Sequence, residues 1–481
     1  MMKSKKVVNT LIILALMLLF RFIPPITPLT PIGMEVIGIF LGCIFAWTVG
    51  EVFWPSVLAL FLVGLVGENS ISGIFTATFG NATLHMVFLA LAFCYAVEKS
   101  GLIELIAKYI LSRKFARKDP WALALAFWIA TYVTSAVTTA TTAIIILCWE
   151  MFYEVVRKAG MEKKTPYTAV VIIGILIAAY LGGSTMPYNA FTQICCGVLA
   201  ASGSTITLSF IPYLLLQIVV SCVALALLYL VSKYLLRIKI KYDIPENMID
   251  ASDLVVTRKH KIISAFVLLF CLIQILPNFL PEGSVKALLS NVGFSGGFAI
   301  ILVALSLIDD GEGGKMFSFI DSLKLGMPYG MIILVATALQ VSSKLTDAST
   351  GVSALLTNLL APITSIPSPM VSMALLLFIG LVLTHIINNI VAITIMVPIG
   401  VTLLSNISYR PDAMISLMCL VLLQGLIMPS SSMAGAMLHG NDEWISSQSV
   451  YKYGTILELV LAVVVSIVGV PLAQVIFSAL A

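Results

Sequence analysis

The sequence predicts an all-α polytopic membrane protein of about 11 transmembrane helices plus two re-entrant hairpins, arranged as an inverted-topology repeat. Three observations predict it. The composition is 60% hydrophobic and 10% charged, with mean hydropathy +1.08, well outside the range of soluble domains. A nearly unbroken apolar run at 121–153 carries Thr138, Thr139, Thr141 and Thr142 at its centre and basic clusters at both ends. A second long apolar run, 369–402, carries Thr384, His385, Asn388 and Asn389 at its centre and has almost no basic flanks. The net charge of +4 sits in a few short loops, where it sets topology. No nucleic-acid partner is indicated.

The amino terminus combines Lys3, Lys5 and Lys6 with an apolar stretch from Val7 to about Phe20. A secretory signal has this outline, but no small-x-small cleavage site follows, so the stretch reads as a first membrane helix with its amino end in the cytoplasm. Further apolar runs at 33–48, 52–67 and 84–99 complete four crossings. The amphipathic segment 102–111 then lies along the interface and leads into the basic loop 113–118.

A single straight helix over 121–153 would measure roughly 50 Å against a hydrocarbon core of about 30 Å. It would also strand Arg113, Lys114, Arg117 and Lys118 across the bilayer from Arg157, Lys158, Lys163 and Lys164. A hairpin entering from the cytoplasm removes both conflicts and carries the hydroxyl-rich tip to mid-membrane. Polar backbone at that depth must line protein or a water-filled cavity. The run 167–200 then crosses outward with a break at Gly182-Gly183-Ser184-Thr185-Met186-Pro187, and a helix from about 207 returns to Lys233, Arg237, Lys239 and Lys241.

The polar stretch 243–261 is the least membrane-like part of the chain and reads as a cytoplasmic linker. Runs at 262–280, 289–308 and 325–343 follow, with a charged loop from Asp309 to Lys324. The second hairpin, 369–402, enters from the opposite face. After it come a broken helix at 412–438, interrupted at Pro429 to Gly435, and a last helix near 454–479 that leaves the carboxyl terminus outside.

The predicted organisation is therefore residues 1–32 as an amino-terminal region with the first helix, 33–242 as the first repeat, 243–261 as the linker and 262–481 as the second repeat. Both repeats run in the order interfacial segment, polar-tipped hairpin, broken helix. Ser100-Gly101-Leu102 resembles Thr350-Gly351-Val352, and Gly101 to Thr138 spans 37 positions, as does Gly351 to Asn388. Such a repeat is the mark of alternating-access carriers with a site at the repeat interface.

Half-helix amino termini at the tips and breaks favour anions, because their N–H groups are unpaired and the helix dipole is positive there. Thr138, Thr139, Asn388, Asn389, Ser431 and Ser432 add neutral hydroxyl and amide groups. Released carbonyls together with Thr134, Ser135, Thr185 and Thr384 can coordinate a hard cation such as sodium. The competing reading is that mid-helix threonines bond back to the preceding turn. His385 offers a proton-coupling or substrate role against a packed neutral imidazole. Glu458 needs a partner or water inside the last helix, whereas Glu98 reads as an interfacial carboxylate that extends to water. The eight cysteines lie in apolar surroundings and read as reduced, without metal-ligand spacing. No H-E-x-x-H, G-x-S-x-G or Walker A pattern is present, so a membrane enzyme is the remote alternative.

These residues resemble the divalent anion:sodium symporter family of di- and tricarboxylate and sulfate carriers, within the ion transporter superfamily. The resemblance runs from about residue 30 onward through the element order and through Thr138-Thr139-Ala140-Thr141-Thr142 at the first tip. It continues in Asn388-Asn389-Ile390 with Val397-Pro398 at the second, and in Thr185-Met186-Pro187-Tyr188-Asn189 at the first helix break. Phe79-Gly80-Asn81 and Glu98-Lys99-Ser100-Gly101-Leu102 also resemble family stretches. The resemblance implies substrate contacts from Thr138, Thr139, Asn388, Asn389 and Ser432, and cation sites near each tip involving Thr134, Ser135, Thr185, Thr384, Asn389 and Ser431. It implies a secondary carrier of small organic anions in the cell membrane, sodium-coupled, elevator-type and homodimeric, with no cofactor beyond the coupling ion. The chain departs from the family's Ser-Asn-Thr pattern at the first tip, which leaves fewer sodium ions, proton coupling through His385, or anion exchange as alternatives. Another anion such as sulfate or a monocarboxylate, or sodium/proton antiport, is the runner-up.

Overall fold

The structure, a computed structural model, describes residues 2–67, 70–138, 141–204, 206, 208–238, 240 and 255–480. Most of the expected linker, 243–254, lies outside the described residues. Apart from one isolated bridge between Asp309 and Lys315, the regular structure among the described residues is helical. Eight of these helices are long and apolar enough to cross a bilayer, or nine if Phe319–Gly326 and Tyr329–Leu345, bent by 82°, form one span. The expected span 52–67 is only the 11-residue helix Phe53–Val63, about 16 Å long. A turn containing Gly67, in the left-handed region at φ +61°, separates it from a short helix, Ile71–Phe79, capped by Ser70. The second broken helix is likewise two short pieces, Pro411–Val421 and Met433–Gly440.

Both long polar-centred runs fold back on themselves. The first comprises Pro120–Thr138 and Thr141–Lys158. Asp119 starts it by accepting the N–H groups of Trp121 and Ala122 at 2.8 and 3.0 Å. Phe127 and Phe152, equidistant from the break, meet edge to face with ring centroids 5.4 Å apart, which requires antiparallel arms. The second comprises Pro369–Ile386 and Asn389–Leu404. There Met396 Cε lies 3.5 Å from where a Cβ on Gly380 would stand, bringing the two arms together.

The helix Pro166–Gly183 is the centre of the molecule, buried on every face from Tyr167 to Gly183. Its sequence is apolar all round, as a fully enclosed helix requires. Both arms of the first hairpin clasp it, with the Trp128 and Trp149 indoles donating to the Val171 and Ile172 carbonyls at 3.3 and 3.0 Å. Gly182 lets the backbones touch: a Cβ there would stand 2.3 Å from the Tyr132 carbonyl oxygen. Small residues serve this purpose in membranes, where close packing rather than water exclusion holds helices together.

Around this centre the two halves are laced together. Phe53–Val63 packs on Tyr329–Leu345, and Ser284–Leu307 packs on Ala82–Lys99. Phe93, Tyr188, Phe270 and Phe298 form an aromatic cluster with centroids 4.3 to 6.3 Å apart. The resemblance between Ser100-Gly101 and Thr350-Gly351 is structural. Ser100 and Thr350 hydroxyls each donate to a carbonyl three residues back and accept from the N–H two residues on, and Gly101 and Gly351 are both left-handed, at φ +75° and +72°. These turns start the helices Leu102–Leu111 and Val352–Thr364. In the first of these helices Leu102, Ile103, Ala107 and Leu111 are buried, while Glu104 and Lys108 pair at 2.6 Å on its outer side.

Candidate functional site

One cavity of about 760 Å³ collects the polar features of both halves. Four helix starts line it: Thr141 and Thr142, Ala190 and Phe191, Asn389 and Ile390, Ser432 and Met433. Each helix start is equivalent to roughly half a positive charge, so four facing one space supply about two. Asn189, Asn388 and Ser432 cap three of these starts by accepting the N–H of Phe191, Ile390 and Gly435 at 2.9, 3.0 and 2.7 Å. The opposite wall comes from Ala82–Lys99 and from the segment around Met327 and Met331. Glu98 is the single charged residue lining the cavity among the described residues. An anion placed here would face backbone dipoles and neutral groups, with no lysine or arginine in the lining among the described residues.

Beside the second tip lies a cluster of inward-facing oxygens. Thr384 donates to the Leu422 carbonyl at 2.6 Å and to Asn389 Oδ1 at 3.0 Å. The Asn389 amide nitrogen donates to the Leu423 carbonyl at 2.9 Å, and its backbone N–H donates to the Ser431 carbonyl at 3.1 Å. Asn389 Oδ1 and the Thr384 and Ser431 carbonyl oxygens converge on Gly425, where a Cβ would stand 2.2, 2.7 and 2.9 Å from them. These oxygens crowd Gly425 so closely that position 425 admits no side chain. At the first tip, Ser135 donates to the Ala179 carbonyl at 2.7 Å and faces Thr141 Oγ1 at 3.4 Å, beside Gly183. Ser135 thus takes at the first tip the part that Thr384 takes at the second. The two lie 249 positions apart, one fewer than the 250 separating Gly101 from Gly351, so the register between the tips slips by one residue.

The structure sorts the sequence-derived candidates. Asn388, Asn389 and Ser432 line the cavity, while Thr384, Asn389 and the Ser431 carbonyl form the oxygen cluster. Thr134 and Thr138 are buried and donate to the Ala130 and Thr134 carbonyls at 2.5 and 2.9 Å, the back-bonding of mid-helix threonines. Neither lines the cavity. Thr185 donates to the Leu181 carbonyl at 2.8 Å and lies 3.2 Å from the Tyr132 hydroxyl, away from the second-tip cluster. Thr139 lies outside the described residues. His385 is buried, and its Nδ1 accepts the Leu426 N–H at 3.3 Å. Sequence reasoning left out Gly425, whose only signal was a glycine before the Pro429 break, and Thr141 and Thr142 as site residues. Glu98, read as an interfacial carboxylate, is exposed and also borders the cavity.

Comparison with known proteins agrees with this architecture. Among solved structures, the YdaH transporter of Alcanivorax borkumensis superposes with a TM-score of 0.58 at 17% identity, covering 87% of this chain and 96% of that one. MtrF of Neisseria gonorrhoeae, described as illuminating a class of antimetabolite efflux pumps, gives 0.56 at 14% identity, covering 92% and 96%. At these identities the likeness is one of fold. No curated protein sequence matches the chain. The sequence profile described as "Citrate transporter" matches residues 1–423, and the resemblance to di- and tricarboxylate carriers is borne out in it. The family and both structural neighbours are transporters rather than enzymes. This chain is a multi-pass membrane transporter and belongs to the citrate transporter family.

Proposed function

We propose that the chain is a secondary active carrier of small di- and tricarboxylates, with citrate as the first candidate, coupled to sodium. The observation that carries this reading is the convergence of four helix starts, two from each half, on one cavity whose lining lacks cationic side chains. About two units of dipolar positive charge, set against the one carboxylate of Glu98, favour an organic anion. Asn388, Asn389, Ser432, Thr141 and Thr142 are the substrate groups, and the Thr384, Asn389 and Ser431 oxygens beside the second tip are the cation ligands.

The domain boundaries follow the predicted inverted repeat. The matched turns at Ser100 and Thr350 and the matched hydroxyls at Ser135 and Thr384 support it. The hairpins and broken helices move as one body against a scaffold that includes Ala82–Lys99 and Tyr329–Leu345, carrying the anion across in an elevator-like step. The carrier works as a homodimer in the cell membrane, amino terminus cytoplasmic and carboxyl terminus outside.

The test is uptake of labelled citrate, succinate and sulfate into proteoliposomes under an imposed sodium gradient. Accumulation of a carboxylate with sodium, and not with potassium in its place, is the expected result. Accumulation of sulfate alone, or of none of the three, overturns the reading.

A further inference from the structure

Tyr180 lies on the enclosed helix Pro166–Gly183 and is itself buried. Its hydroxyl reaches from the first half of the chain to the second, donating to Ser432 Oγ at 2.7 Å across 252 positions of sequence, with the Gly425 carbonyl farther off at 3.4 Å. Ser432 Oγ donates in turn to the Gly425 carbonyl at 2.7 Å and accepts the Gly435 N–H at 2.7 Å. A serine hydroxyl has one proton to give and two lone pairs to receive with. All three are engaged, so Ser432 meets the cavity with the helix start it caps and not with a free proton of its own.

The stretch 422–432, between Pro411–Val421 and Met433–Gly440, is not helical, so its shape is set by individual contacts. It carries the Ser431 carbonyl, which accepts the Asn389 N–H at 3.1 Å, and Gly425, against which Asn389 Oδ1 is packed. Pro166–Gly183 is gripped by both arms of the first hairpin through Trp128 and Trp149, which makes the Tyr180 hydroxyl a fixed point for this stretch to rest on. We infer that Tyr180 is a positioning residue for the anion: it holds Ser432 in the orientation that caps Met433–Gly440 and so keeps that helix start turned to the cavity. Tyr180 does not line the cavity and acts through Ser432. The inference rests on the anion-carrier reading above.

The experiment measures initial counterflow of labelled citrate against citrate concentration, with the full chain in proteoliposomes and no ion gradient imposed. Tyr180→Phe removes one oxygen and keeps the ring. Its half-saturating citrate concentration is expected to rise about fivefold or more, with the maximal rate within about twofold of native. Tyr409→Phe is the control for losing a buried phenol bond: Tyr409 donates to the Val470 carbonyl at 2.8 Å and does not line the cavity, so half-saturation stays at the native value. Ser432→Ala is expected to raise half-saturation at least as much as Tyr180→Phe, and combining the two adds less than about twofold, because both act through one hydroxyl. Half-saturation of Tyr180→Phe within about twofold of native, an equal rise in Tyr409→Phe, or a full additional rise in the double variant overturns the proposal. Should Tyr180→Phe fail to fold, Ser432→Ala decides, since unchanged half-saturation there also overturns it. Absence of counterflow in the native protein for every carboxylate would instead sink the anion-carrier reading.

Discussion

Gly425→Ala adds one methyl group at the point where Asn389 Oδ1, the Thr384 carbonyl and the Ser431 carbonyl meet, at 2.2, 2.7 and 2.9 Å. Two of the three are backbone atoms that cannot swing aside, so the Asn389 side chain must move. Its bonds to Thr384 and to the Leu423 carbonyl are then lost, together about 2 kcal/mol. Forcing the methyl between the remaining oxygens costs about 1–3 kcal/mol more. A disorganisation of the tip by about 3–5 kcal/mol lowers cation-driven citrate uptake by more than about a hundredfold. The assay is initial uptake into proteoliposomes at matched protein content, with elution from a sizing column as the folding check. Gly440→Ala is the control, because a Cβ there meets nothing within 4 Å. Transport by Gly425→Ala within about twofold of the control would refute the role assigned to the oxygen cluster.

Three further outcomes follow from the same geometry. Asn389→Ala removes the amide that bridges Thr384 and Leu423, and should abolish uptake while expression and elution stay unchanged; normal uptake would take Asn389 out of the site. Trp444→Ala removes a ring stacked on Tyr153 at 4.2 Å and capped by Arg157 and Lys163, so thermal unfolding in detergent should show a loss of about 3 kcal/mol. Partial burial pushes the Asp119 carboxyl up, but the Ala122 and Trp121 N–H groups and the Lys233 ammonium hold it below its ordinary value of 3.8. Its contribution to stability is therefore present above that value and lost as pH falls through the lower folded one, so Asp119→Ala should narrow the gap between neutral and strongly acid unfolding temperatures, whereas an unchanged gap would contradict it.

The breaks in the helices were legible because polar and helix-breaking residues announce them: Asn388-Asn389 inside an apolar run, and Pro187 and Pro429 after helical stretches. Folding back at 121–153 was legible from length and flanking charge alone. The tip register was not, because Thr138, Thr139, Thr141 and Thr142 are chemically alike and only tertiary contact selects Ser135 and Thr141 over Thr134 and Thr138. The early end of the expected span 52–67 at Val63 was hidden by continuous hydrophobicity, which reports burial but not direction. Glu98 illustrates the same limit. A carboxylate at a helix end reads as interfacial, and only the packing of Ala82–Lys99 against the hairpin-bearing part reveals that this end borders a cavity.

The most direct test of the central claim is a cryo-EM map of the protein with citrate and sodium present. Density for citrate is expected in the 760 Å³ cavity, against the starts of the helices at Thr141, Ala190, Asn389 and Met433. Citrate density elsewhere, with those four helix starts facing empty solvent, would contradict it.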